Sequence, residues 1–143
     1  MRRLSCVLYL SMLAACTAGD KASSPGGQPS STAVVAERAD LRVGESRAFG
    51  GDLVVTFARV KEESRCPMDA VCVRLGEAVV ALRLALSTGE NDTRELSIGA
   101  PESASRAAFG RFIIQLTALT PYPRSDRIID FAEYTATLEV ASR

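Results

Sequence analysis

The chain has 143 residues, with 17 basic and 17 acidic side chains, no histidine and no tryptophan. Without an imidazole, Ser-His-Asp and Cys-His mechanisms are excluded, as are zinc and copper sites built on histidine. No segment is rich in Lys and Arg, so nucleic acid is not an expected partner.

Arg2 and Arg3 precede an apolar stretch at residues 4–13, and Ala14-Ala15 lead into Cys16. A charged start, a short apolar core and small residues form the layout of a secretory signal. The stretch falls well short of the roughly 20 apolar residues that span a bilayer as a helix. Leu13-Ala14-Ala15-Cys16 resembles the lipobox of bacterial lipoproteins. The resemblance implies removal of residues 1–15 and a diacylglyceryl group on the Cys16 sulfur. Cleavage by an ordinary signal peptidase is the alternative, for which Cys16-Thr17-Ala18 is a weaker site. Several acyl chains on one terminus give stable anchoring, so membrane lipid is an expected partner. By similarity to the usual sorting rule, Thr17 in place of Asp points to the outer membrane of a bacterial envelope.

Residues 16–33 include the run KASSPGGQPSSTA, which has almost nothing to bury and reads as a flexible tether. Such a chain spans roughly 20–25 Å on average. Loss of Arg2 and Arg3 leaves 15 basic against 17 acidic residues, a net charge of −2. Residues 34–143 are long enough for one domain with a single core.

Within that domain the apolar pattern has period two. Candidate short strands are 40–43 and Ser46–Phe49, with Gly50-Gly51 as a tight turn before 53–61. Residues 53–61 begin apolar on both faces, as in a central strand covered on both sides. In Ala78–Leu86, Val80, Leu82, Leu84 and Leu86 share a face. Thr88 to Asp92 reads as a turn, 94–98 as a strand, 101–108 as a possible helical turn, and Arg106–Phe109 as a short strand. In 111–119, Phe112, Ile114, Leu116 and Ala118 share a face; in 134–140, Tyr134, Ala136, Leu138 and Val140 do. Seven or eight strands without an amphipathic helix predict an all-β antiparallel sandwich, either immunoglobulin-like or a small barrel. No internal repeat is present.

Cys6 falls in the expected signal and Cys16 is taken by lipid, which leaves Cys66 and Cys72 to pair in an oxidising compartment. Five residues separate them, whereas thioredoxin-like redox sites use C-x-x-C. A structural staple is the expected role and a redox pair the alternative.

The surrounding stretch, Glu63-Ser64-Arg65-Cys66-Pro67, then Cys72-Val73-Arg74-Leu75-Gly76-Glu77-Ala78, resembles a motif of small uncharacterised bacterial exported proteins. Their pattern is D-S-R-C-P-x4-C-x-W-A-G-x-A. Leu41-Arg42-Val43-Gly44-Glu45, Leu119-Thr120-Pro121-Tyr122-Pro123 and Tyr134-Thr135-Ala136-Thr137-Leu138-Glu139-Val140 match the rest of that frame. Glu63 replaces its Asp, and Arg74-Leu75 replace its Trp-Ala. The resemblance implies a fold and a compartment but no activity.

The loop reads first as a corner joining two strands, with Arg65 able to reach a carboxylate or carbonyls and Gly76 allowing a bend. As a recognition loop it would display Pro67, Met68, Asp69, Ala70 and Val71, with Arg74 beside them. Tyr122, between two prolines, reads first as a packed loop anchor and, if exposed, as a second candidate contact. Glu62, Glu63 and Asp69, and Asp126, Asp130 and Glu133, lack the spacing of a calcium loop and read as solvated turns, so no metal or cofactor is expected. The expected function is a non-catalytic envelope binding module, possible partner an envelope protein. A proteinase inhibitor presenting the disulfide ring is the alternative, and a carboxylate-only hydrolase a remote third.

Overall fold

The structure is a computed structural model that describes residues 36–143. The expected signal at 1–15, the Cys16 lipid site and the 16–33 tether lie outside the described residues.

Eight strands form in chain order: β1 (Ala36–Arg42), β2 (Ser46–Phe49), β3 (Leu53–Glu63), β4 (Ala78–Leu86), β5 (Asn91–Ile98), β6 (Arg106–Phe109), β7 (Phe112–Thr120) and β8 (Thr135–Ser142). Short 3-10 turns occupy Glu102–Ser105 and Phe131–Glu133. One sheet has the order β1-β8-β7-β6 and the other β2-β3-β4-β5, with every pairing antiparallel. The fold is therefore an all-β sandwich. Chain neighbours are also spatial neighbours around both sheets. This is the order of an up-and-down barrel opened at the β1/β2 and β5/β6 seams, rather than the Greek key of an immunoglobulin domain.

The inner faces supply the core. Ala39, Leu41, Phe109, Phe112, Ile114, Leu116, Leu119, Ala136, Leu138 and Val140 come from one sheet; Phe49, Leu53, Val55, Phe57, Val60, Ala78, Val80, Leu82, Leu84 and Leu96 come from the other. Tyr134 closes one end of it.

Three β-bulges change which residues face inward, at Ala58 and Lys61 in β3 and at Thr117 in β7. Phe57 pairs with Leu82 but Arg59 pairs with Ala81, so Ala58 is extra. Odd-numbered residues point inward before it, and Val60 does so after it. In β7, Leu116 pairs with Leu138 and Ala118 with Thr137, so Thr117 is extra. Leu119, not Ala118 as the alternation predicts, takes the next core position. The Thr117 hydroxyl donates to the Thr137 carbonyl at 3.2 Å, which occupies a polar group at the irregularity.

Other expectations are corrected. β3 is central but covered on one face only: Val54 is 40% exposed because no second layer lies over that side among the described residues. β1 begins at Ala36, ahead of the predicted 40–43, because an edge strand tolerates the exposed charges of Glu37 and Arg38. Asn91 and Asp92 are not turn residues; they pair with Ala85 and Leu84 at the start of β5. The 101–108 stretch divides into a 3-10 turn and β6.

The up-and-down order places alternate connections at opposite poles. Residues 43–45, 64–77, 99–105 and 121–134 share the pole where β1 ends. The short hairpins at 50–52, 87–90 and 110–111 share the other, with Ala36 and Ser142. The hydrogen bond from Gly50 N to Glu37 Oε1 (2.9 Å) and that from Arg143 N to Arg111 O (2.9 Å) belong to this second pole. Seven residues of β1 separate the poles by roughly 23 Å.

Candidate functional site: a pinned pair of loops

The long connections 64–77 and 121–134 lie together at the pole remote from Ala36. Arg65 joins them. It is only 6% exposed, and its Nε donates to Glu63 Oε1 at 2.8 Å while Nη2 pairs with Glu63 Oε2. Nη1 donates to the Leu119 carbonyl at 2.9 Å and Nη2 reaches the Pro121 carbonyl at 3.4 Å. The guanidinium also stacks over Tyr122, 4.6 Å from the ring centroid. A planar fork of five donors suits this arrangement, because one residue satisfies a carboxylate and two carbonyls at once. Burial works against the charge, but the hydrogen bonds and charge of Glu63 outweigh it and hold the Arg65 pKa above its ordinary value.

Tyr134 lies against the same pair and is 1% exposed. Burial, then the Glu63 charge and a hydrogen bond to that carboxylate, push its phenol up to about 12.

Further out, Met68 N donates to the Pro123 carbonyl at 3.0 Å. Asp69 accepts from Ser125 N at 2.8 Å and from Ser125 Oγ at 2.5 Å. The Ser125 hydroxyl, then its amide, hold the Asp69 carboxyl below the usual range. Cys66 and Cys72 are bonded, with Cα atoms 5.9 Å apart. Within their ring, Ala70 N donates to the Pro67 carbonyl at 3.1 Å, a local turn.

The base of the first loop depends on Gly76. Its φ is +65°, and a Cβ there would stand 1.8 Å from the Ser64 carbonyl oxygen. Ser64 N donates to the Glu77 carbonyl and Cys66 N to the Leu75 carbonyl, both at 2.8 Å, so the loop's stem is zipped. Gly99 packs on Gly76 from the neighbouring connection, where a Cβ would lie 2.6 Å from the Gly76 carbonyl oxygen. Asp130 caps the 3-10 turn of the second loop by accepting from Ala132 N at 2.8 Å.

This scaffold holds large apolar side chains in water. Met68 is 69% exposed, Ile128 97%, and Val71 and Val73 fully; Leu75, Tyr122 and Phe131 are exposed as well. Of the exposed large apolar residues among the described residues, only Val54 lies off these two loops. Sequence reasoning singled out Pro67, Met68, Asp69, Ala70, Val71, Arg74 and Tyr122, and the structure brings all of them to this pole. Their parts differ. Met68, Val71 and Arg74 are exposed, Asp69 is spent on Ser125, and Tyr122 both supports Arg65 and remains 43% exposed. Val73, Leu75, Ile128 and Phe131 were missed. Their signal was apolar residues in segments that fit neither strand periodicity nor a turn.

All but one of the carboxylates flagged in sequence have a local partner; the Glu62 side chain is exposed and makes no hydrogen bond or ion pair among the described residues. Glu63 pairs with Arg65, Asp126 with Arg124 at 3.1 Å, and Glu133 with Arg127. Among the described residues no three His, Cys, Asp or Glu side chains group as metal ligands.

Comparison of the chain with protein-family models, with curated proteins and with solved structures finds no match.

Proposed function

We propose that this protein is a non-catalytic recognition module of the bacterial envelope that binds a protein partner through the 64–77 and 121–134 loops. The observation that carries the reading is the gathering of seven exposed large apolar side chains on two cross-braced loops at one pole. Exposed apolar patches on soluble surfaces mark interaction sites, and a loop held rigid beforehand loses less entropy on binding. The Arg65 plug, the Asp69–Ser125 link and the disulfide supply that rigidity.

The lipobox-like N-terminus supports a membrane-anchored lipoprotein, placed by Thr17 at the outer membrane. The described chain starts at Ala36, at the pole opposite the loops. The inhibitor reading has less support. A substrate-like loop presents extended backbone to an enzyme cleft, whereas the Cys66–Cys72 ring is folded on itself by the Pro67–Ala70 turn.

The test is affinity capture from envelope extract, comparing the natural chain with a Val71→Ser/Val73→Ser/Ile128→Ser variant of the same circular dichroism spectrum. A protein captured by the first and lost by the second supports the reading. A partner retained by both moves the site away from this pole.

A further inference from the structure

The outer face of the β2-β3-β4-β5 sheet carries a feature independent of the loops. Strand register places Thr56, Arg83 and Thr93 in one row across β3, β4 and β5, and Arg59, Ala81 and Glu95 in the next. Arg59 and Arg83 are thus diagonal neighbours on adjacent strands, roughly 7–8 Å apart at the backbone. The adjacent acids are already engaged: Glu95 with Lys61 at 2.6 Å and Asp92 with Arg94 at 2.7 Å. Among the described residues, Arg59 and Arg83 have no carboxylate within ion-pair distance.

The surface between them is concave. One hollow of about 620 Å³, beside Arg83 but not reaching Arg59, is lined in part by Thr56, Arg83, Asn91, Thr93 and Asp92, whose carboxylate is paired with Arg94. A second of about 320 Å³ is lined by Ala58, Arg59, Ala81, Arg83 and Thr93. Ala81 alternates outward yet is only 3% exposed, so it forms a floor rather than open surface. Alanines at 58, 81 and 85 keep the floor low, and the arginines and threonines stand around it.

Guanidinium forks match carboxylates or phosphates two bonds at a time. Hydroxyl and amide side chains both donate and accept, which suits a ligand carrying many hydroxyls. Apart from Val54 this face has no exposed large apolar side chain among the described residues, so recognition here rests on charge and hydrogen bonds rather than on apolar burial. We infer that this face binds an acidic saccharide. Its acid groups lie against Arg59 and Arg83, and its hydroxyls exchange hydrogen bonds with Thr56, Thr93 and Asn91.

The full chain is titrated at low salt with trigalacturonate by isothermal calorimetry, with neutral maltotriose and a hexaglutamate peptide as comparisons. Trigalacturonate binds, and Arg59→Gln and Arg83→Gln each weaken it by about tenfold or more, the loss expected of one charge-assisted contact. Arg38→Gln, which removes an equal charge from the other sheet, leaves binding unchanged. The arginines are exposed, so these variants keep the natural melting temperature. The inference is overturned by no trigalacturonate binding at millimolar concentration, by equal binding of maltotriose, by tighter binding of hexaglutamate, or by an equal loss in Arg38→Gln.

Discussion

Arg65→Met is the most informative single change in the molecule. Methionine matches the apolar stem of arginine but removes every donor from a site that is 6% exposed. Glu63, whose side chain is 12% exposed, then holds a largely buried charge with no cation beside it. The Leu119 carbonyl also loses its 2.9 Å donor. Removing one member of a buried ion pair costs about 3–5 kcal/mol. The residual exposure of Glu63 places this case near the lower end, about 3 kcal/mol. For a domain of this size that lowers Tm by roughly 12 °C, at about 4 °C per kcal/mol. Urea denaturation followed by circular dichroism reads the loss directly. The cause is the stranded charge, so Glu63→Gln/Arg65→Met should recover at least about 1 kcal/mol relative to Arg65→Met alone. A loss under about 1 kcal/mol in the single variant, or a double variant no better than the single one, would refute the account of Arg65 as the pin between the two loops.

Gly76→Ala meets both a positive φ and a backbone oxygen 1.8 Å from the new Cβ, whereas Gly44→Ala meets open space at φ +88°. The expected costs are about 3 kcal/mol or more for the first and about 1–2 kcal/mol for the second; comparable denaturation midpoints would contradict this. Opening Cys66–Cys72 by the double change to serine should cost about 2 kcal/mol, the chain-entropy value for so short a ring, while the sheet signal in circular dichroism persists. The Tyr134 phenol ionises near its ordinary value of 10.0 when unfolded and at about 12 when folded. Its folded pKa is raised, so its contribution is fully present below pH 10 and is lost as pH rises towards 12. Tyr134→Phe should therefore flatten the alkaline fall in stability, and an unchanged slope would assign that fall to other groups. Asp69 runs the opposite way. Its folded pKa lies below 3.8, so the link to Ser125 holds above that value and is lost as pH falls through the folded pKa. Asp69→Asn should speed hydrogen exchange of the Ser125 amide at neutral pH with little change in Tm.

Much of the sandwich was legible from alternation alone. Ala78–Leu86 and Arg106–Phe109 match strands end to end, because side chains that alternate between core and water leave a period-two record in the sequence. The Gly50-Gly51 turn was legible for a related reason: both glycines adopt positive φ, at 53° and 78°. The disulfide was legible because Cys66 and Cys72 are the two cysteines of the folded domain and an oxidising compartment was expected. The core positions Val60 and Leu119 were not. Each follows a one-residue bulge, and a bulge depends on the partner strand's register, which no local window contains.

The candidate site divides in the same way. Residue identities were enough to tell that the cysteine loop is patterned, that Arg65 has the donors to tie it down, and that no imidazole chemistry is available. The packing of the strands was needed to show that a second loop, 56 residues on, supplies the Ser125 and Pro123 contacts, and that Val73, Leu75, Ile128 and Phe131 remain in water beside Met68 and Val71. It likewise decided that Arg59 and Arg83, 24 positions apart in the chain, share one sheet face. Periodicity is a local property of the backbone and survives in one dimension. Which loops share a pole, and which charges share a face, depends on strand order and register, and those are set by contacts between residues far apart in the chain.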